Sequence, residues 1–310
     1  MKKFHTLIGL VLSLTLMTLI SGCGGGGGDS TTPTGTLSLS MTDAPPQLGE
    51  GVEEVNIAVI GIEYNYEGTW TNADDFEPQT FNLLDLRDGK SLHLGDMVLP
   101  AGHYQEIRFK LAAPTKDTEV KSNPDCNITY ADGSSVPLFV PSGGQSGYKG
   151  KGAFEITADA KIAVTADFDL QKSIVVTGKS TNNTKYILKP VIRLEVTELS
   201  GMIKGTVVDV ADYNATSESL FVYTYKPGEY NVNEAEEDAE GISFPNSVSS
   251  TDVNMSDGNF TLAYLGEGNY TLITAKYSDE VFLVVDEHEE EVEVFKGQLT
   301  FVDINTSDYP

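Results

Sequence analysis

In the stretch KIAVTADFDL, apolar residues fall at every second place: Ile162, Val164, Ala166, Phe168 and Leu170. Side chains of a strand point alternately to its two faces, so this spacing suits a strand with one buried side and not a helix, whose faces recur at a period of about 3.6. TLSLSM repeats the pattern with Leu37, Leu39 and Met41. VEEVNIAVIGIEYNY, YQEIRFKLA, KSIVVTG and YILKPVIRLEV add further β-rich runs. Between them lie DAPPQLGEG, LPAGH, NPDCN, ADGSS, PSGGQSGYKGKG and TNNT, all rich in turn-forming residues. No long segment carries a helical period. The expectation is an all-β chain built as antiparallel β-sandwiches.

A second series of strands starts after the Ser-Gly break in ELSGM, with IKGTVVDV as its first run. The charge shifts there too: residues 36–200 hold 14 basic and 23 acidic side chains, residues 201–310 hold 4 and 22, and the latter contain no arginine. We read two sandwiches, over 36–198 and 201–306. In the second, FTL and YTL set Phe260, Leu262, Tyr270 and Leu272 on one buried face with threonines opposite, as core rather than as a sugar-stacking platform. GNFTLAY and NYTLITAKY flank LGEG as one expected hairpin; EVFLVVD and EVEVF flank EHEE as another. Residues 228–253, acidic and weakly patterned, read as a loop insertion with one helical turn in NEAEEDAEG. LPAGHY in the first unit shares the turn-then-tyrosine order of LGEGNY, which makes the two units variations on one sandwich.

At the start of the chain, Lys2 and Lys3 precede an apolar run from Leu7 to Ile20, shorter than the about 20 residues a membrane-spanning helix needs. A basic start, a short apolar core and small residues at Ser21 and Gly22 are the layout of a signal peptide over 1–22, removed on export. Ile20-Ser21-Gly22-Cys23 resembles the lipobox of bacterial lipoproteins, which implies that Cys23 is acylated and becomes the first mature residue. Each buried methylene contributes about 0.8 kcal/mol, so the membrane is an expected partner through this anchor. The glycine-rich segment up to Gly35 then acts as a flexible linker reaching roughly 20 Å. Gly24 stands where the resemblance would place Asp in a lipoprotein kept from the outer membrane, so outer-membrane attachment is implied, facing the periplasm or the cell surface.

Residues from Gly35 to about Val196 resemble the DUF4382 domain of bacterial lipoproteins: GTLSLSMTDAP, FNLLDLRDG, LPAGHYQEIRFKL, FDLQKSIVVTG and YILKPVIRLEV follow in that family's order. The activity of that family is unknown, so the resemblance implies no reaction. From about Gly201, IKGTVVD and SDGNFTLAYLGEGNYTLITAKY are similar to carboxypeptidase-regulatory-like modules. That likeness implies a prealbumin or transthyretin-like sandwich, a fold that resembles starch-binding modules. The acidic insertion departs from the pattern by replacing the compact second and third strands.

The net charge of −26 disfavours nucleic acid as a partner, since phosphate binding needs clustered Lys and Arg. Beyond the leader only His93, His103 and His288 remain, without HExxH-type spacing. Tyr148 stands where a nucleophile elbow around Ser146 needs glycine, and TGKS and DGKS lack the earlier glycine of a phosphate loop. Cys126 reads as an unpaired thiol without catalytic duty. No cofactor is expected beyond calcium, for which Asp43 in MTDAP and Asp167 and Asp169 in ADFDL are the candidate ligands. The Asn72-Asp74-Asp75 group is a further candidate, no EF-hand spacing accompanies either, and all also fit solvated turn or strand-end positions. Trp70 in YEGTWTN is the first candidate for ligand binding, ahead of Tyr64, Tyr66, Tyr148, Tyr223 and Tyr225, against the alternative of a ring packed in a turn. The expected function is that of a non-enzymatic lipoprotein presenting two sandwiches to a protein or glycan ligand. The alternatives are a carbohydrate-binding lipoprotein and a carboxylate-based hydrolase.

Overall fold

The alternating runs become strands over most of the described residues. The computed structural model describes residues 32–44, 51–114, 125–141, 146–177, 184–238, 241–279, 281–288 and 290–308. The signal-peptide, Cys23 and glycine-linker readings lie outside these residues, apart from the last few positions of the linker. The first strands are β1 (Thr34–Ala44), β2 (Val52–Tyr66), β3 (Thr69–Asn72), β4 (Gln79–Asn82), β5 (Leu92–Pro100), β6 (Gly102–Leu111) and β7 (Asn127–Tyr130). After them come β8 (Ser135–Phe139), β9 (Tyr148–Ile156), β10 (Lys161–Asp169), the short helix α1 (Leu170–Ser173), β11 (Ile174–Thr177), β12 (Lys185–Leu188) and β13 (Ile192–Val196). They form one 13-stranded sheet in the order β11-β12-β8-β7-β2-β6-β9-β13-β10-β1-β5, with β3 and β4 against β2. Leu37, Leu39, Met41, Val164, Ala166 and Phe168 all lie in its single core.

The remaining strands are β14 (Ser200–Val207), β15 (Ser219–Tyr225), β16 (Ser249–Asp252), β17 (Asn259–Gly266), β18 (Gly268–Ser278), β19 (Val281–Glu287), β20 (Val292–Val294) and β21 (Leu299–Ile304). They make two sheets, β17-β14-β21 and β16-β15-β18-β19, with β20 against β18. Phe260, Leu262, Tyr270 and Leu272 are buried in one cluster with Ile203, Val207, Leu220 and Val222, as the FTL and YTL patterns predict.

Both expected hairpins are corrected. β17 and β18 belong to different sheets, so LGEG carries the chain across the sandwich. Phe260 and Leu262 therefore share a core with Tyr270 and Leu272 from opposite layers, and a period-two pattern is the same whether its partner lies beside it or facing it. β19 and β20 pair with different parts of β18, Ile273–Ser278 and Gly268–Tyr270, rather than with each other. The acidic segment also holds more structure than a loop, since Ser249–Asp252 pairs with β15. Upstream, a 3-10 turn spans Val232–Ala235. Phe244 stacks on Tyr223 with centroids 3.9 Å apart, and Tyr230 packs on Tyr225 at 5.1 Å. This flap covers the second face of β15, which explains why LFVYTY is apolar at both parities: Leu220 and Val222 enter one core, Phe221, Tyr223 and Tyr225 another.

The two halves share a construction. Each first strand lies between a parallel partner and an antiparallel one: β1 between β10 and β5, β14 between β21 and β17. Thr36 N donates to Ala160 O and Asp159 N to Thr34 O; Met202 N donates to Gln298 O and Gly297 N to Ser200 O. A Cβ on Gly35 would stand 2.3 Å from Thr157 O, and one on Gly201 2.3 Å from Phe295 O, so only glycine lets either strand approach its clamp. The turn-then-tyrosine likeness is structural too. Tyr104 Oη donates to Pro100 O at 2.7 Å and Tyr270 Oη to Gly266 O at 2.7 Å, each four residues back at the point where the chain changes partners. Among the described residues no helix is long and apolar enough to cross a membrane.

Removing either hydroxyl leaves a corner carbonyl without its donor. Tyr104→Phe and Tyr270→Phe are each expected to cost about 1–2 kcal/mol in urea unfolding, and a loss below about 0.5 kcal/mol in both would show that the corners are held by packing alone.

Candidate functional site

The ends of β1 and β10, the turn after β4, helix α1 and strand β13 meet the second half of the chain at one polar junction. Its parts are the stretches MTDA, LLDLRDGK, FDLQKS and VIRLEV. Parallel pairing aligns Thr42 with Asp167 and Ala44 with Asp169, which brings Asp43 beside both aspartates. Antiparallel pairing sets Arg193 against Asp167. The Arg193 guanidinium lies 2.6 Å from Asp167 Oδ2 and 2.7 Å from Glu195 Oε1, and donates to Tyr264 O at 2.7 Å. Tyr264, at φ +51°, belongs to β17 in the other half. Burial works against the charge of Arg193, but Asp167 and Glu195 outweigh it and hold its pKa above the ordinary arginine value.

Asp169 caps α1 through the Lys172 backbone N–H at 3.2 Å, and its Oδ2 is 2.8 Å from Lys172 Nζ. The same ammonium donates to Ser247 O of the flap at 2.5 Å, and the Gln171 amide donates to Tyr223 Oη. Nearby, Asn82 accepts from Leu84 N and Val55 N, fixing the 3-10 turn Leu83–Leu86. Thr42 Oγ1 lies 2.7 Å from Lys90 O at the end of this stretch. Arg87 reaches Asp252 Oδ2 at 3.3 Å, and Tyr264 Oη donates to Gly89 O at 3.2 Å.

Thus the structure brings together the three aspartates singled out from sequence, although two of them are already matched by cations. Among the described residues no three His, Cys, Asp or Glu side chains are arranged to hold a metal ion. Asp43 differs from its neighbours. Its Oδ1 accepts from Leu170 N at 3.4 Å, while Oδ2 has no hydrogen-bond partner. Burial first, then the charges of Asp167 and Asp169, push its pKa well above the usual carboxylate range. Asp43 lines a narrow cleft with Asp88, Asp167, Ser250, Thr251 and Tyr264, whose interior leaves about 10 Å³, room for one water and too little for a sugar ring.

Trp70 lies elsewhere, half-buried on β3, with the Arg108 guanidinium 3.7 Å from its ring centroid and Lys149 Nζ at 5.6 Å. Tyr64 and Tyr66 pack on Tyr104, and Tyr223 and Tyr225 are fully buried. Cys126 is a free, buried thiol accepting from Ala58 N at 3.3 Å, and burial pushes its pKa up to about 11. Arg193, Lys172 and Ser250 escaped the sequence reading. Arg193 stands between Ile192 and Leu194, hence on the face turned from the core, and nothing local says that the second half covers that face.

Residues 34–190, half of the chain, match the family described as Domain of unknown function (DUF4382), and the chain belongs to that family. Asp43, Arg87, Asp167, Asp169 and Lys172 lie inside the matched region and Arg193 just beyond it. A search of curated proteins found no match. Among solved structures, the chain is similar to the major pilin subunit of Bacillus cereus (10% identity, 88% of this chain and 70% of that one, TM-score 0.21). A minor pilin of Streptococcus agalactiae gives 13% identity over 86% and 94% of the two chains, TM-score 0.21. A fimbrial protein of Bacteroides ovatus gives 12% over 88% and 49%, TM-score 0.19. Scores of that size establish no shared topology.

Arg193→Ala strands Asp167 without its cation in a buried place and is expected to cost about 3–5 kcal/mol; chemical denaturation measures it, and a cost under about 1 kcal/mol would show that the network holds nothing. Asp43 gives a pH dependence of definite sign. Its folded-state pKa is raised, so stability is lost as pH climbs from the unfolded value, about 3.9, towards the folded one. Asp43→Asn, always neutral, escapes that loss. Its Tm is expected to exceed that of the parent by about 2–4 °C at neutral pH, with the gap closing on acidification; a gap independent of pH would contradict it.

Proposed function

We propose that this chain is a non-enzymatic envelope lipoprotein. In this reading residues 1–22 direct export, Cys23 carries the lipid that holds the chain to the outer membrane, and residues 24–35 tether it. The two β modules, 36–198 and 201–306, then present their loops and faces to a partner. The observation that carries the proposal is how the junction groups are used. The charged side chains that would have to act as acids or bases bind one another or a backbone carbonyl across the two halves: Arg193 with Asp167, Glu195 and Tyr264 O, and Lys172 with Asp169 and Ser247 O. A carboxylate-based hydrolase needs two acids about 5–9.5 Å apart around a bound sugar, and the cleft beside Asp43 has no space for one. Calcium, expected at Asp43, Asp167 and Asp169, would compete there with the side chains of Arg193 and Lys172.

Cell fractionation tests the anchor. Cys23→Ala is expected to move the protein from the membrane fraction to the soluble one without lowering the Tm of the folded body; an unchanged membrane fraction defeats the proposal.

A further inference from the structure

The three-stranded sheet β17-β14-β21 buries Ile203, Val207 and Ile304 on one face and turns the alternate residues outward. Register sets Phe301 beside Lys204 and Lys204 beside Thr261, then in the next outward row Asp303 beside Thr206 and Thr206 beside Asn259. Strands lie about 4.8 Å apart and same-face residues about 7 Å apart along a strand, so these six side chains tile a plate of about 10 by 7 Å. Phe301 is 75% exposed, the most exposed large apolar side chain among the described residues. A shallow, half-open depression of about 330 Å³ lies over these same residues.

The plate pairs one bare aromatic face with hydroxyl, amide, ammonium and carboxylate groups. Thr206 donates to Asn259 Oδ1 at 3.1 Å, which leaves the Asn259 amide hydrogens as donors to a ligand. A sugar ring matches this set, with a C–H face for Phe301 and hydroxyls for the polar neighbours. A protein surface matches it poorly, because such an interface takes about 800 Å² per partner, and the large apolar side chains exposed along β21 are only Phe301 and Leu299. A second copy of a chain with net charge −26 is repelled, as is any polyanion. We infer that the outward plate of Phe301, Lys204, Thr206, Asn259, Thr261 and Asp303 binds an uncharged glycan, with a sugar ring stacked on Phe301. The inference rests on the reading of the chain as a presenting scaffold and shares only Thr261 with the lining of the junction cleft.

The test is an array of uncharged oligosaccharides probed with the full chain in a detergent that carries no sugar headgroup, followed by calorimetric titration of the glycans bound. Binding is expected for the parent chain, about tenfold weaker for Phe301→Ala and retained for Phe301→Trp, with unchanged Tm because the ring is exposed; Trp70→Ala is expected to bind like the parent. Absence of any uncharged ligand, or binding that Phe301→Ala leaves intact, overturns the inference. So does a change from dimer to monomer in Phe301→Ala, seen by sedimentation without glycan binding, which would assign the ring to self-association. None of these outcomes touches the scaffold reading, which fails on the partitioning of Cys23→Ala instead.

Discussion

The contact that ties the two halves into one register is the one between the Arg193 guanidinium and its three acceptors. Taking a cation out of water is costly, and the cost is offset only where geometry supplies enough oxygen atoms. Here Asp167 comes from the neighbouring strand β10, Glu195 from the same strand, and Tyr264 O from β17 in the other half. The third acceptor exists only when the halves are docked in one register. Such a network adds little net stability compared with an apolar seam, but it penalises every misdocked arrangement by leaving charge unpaired. Residues 33–310 accordingly cluster as one compact unit, although their strands fall into separate sheets.

That coupling sits on a repeated plan. The clamp around Gly35 and its counterpart around Gly201 use the same backbone hydrogen bonds, and the Tyr104 and Tyr270 corners the same four-residue reach. The halves differ at their margins. In the first, the 13-stranded sheet encloses one core; in the second, the outer face of β15 is left apolar and is covered by a flap that includes Tyr230, Ala235 and Phe244.

Much of this was legible in the residues, and the limits have physical causes. Leu37, Leu39, Met41 and the alternating members of β10 declare themselves because a single apolar face imposes a period of two, although Thr165, Asp167 and Asp169 on the other face of β10 are buried as well. The partners of those strands do not, since GNFTLAY and NYTLITAKY look alike whether paired or facing each other across a core. β16 is harder still: SSTD has no apolar residue, and Ser249, Ser250 and Thr251 are buried by the junction rather than by a core. The gathering of Asp43, Asp167 and Asp169 could be anticipated from carboxylates at the ends of adjacent runs. Their cations could not, because Arg193 and Lys172 come from elements whose burial depends on the second half. In LTFVDI, apolar residues stand at both parities, so the period alone could not tell that Val302 turns to the core while Phe301 faces water.

The flap shows how an acidic, weakly patterned segment becomes ordered. Its charge would favour a solvated loop, yet Glu234 accepts from Tyr225 Oη at 2.9 Å and from the Asn246 amide at 3.0 Å, so its carboxylate serves as an internal hub. Phe244 supplies the apolar contact on Tyr223, and Ser247 O takes the ammonium of Lys172 from the first half. Each contact alone is modest, but they act on one short segment from three sides, and loop-closure entropy grows only slowly with length. Acidity at the flap's exposed positions is then free to keep the surface soluble and self-repelling, while the few inward residues tie the two halves of the molecule together.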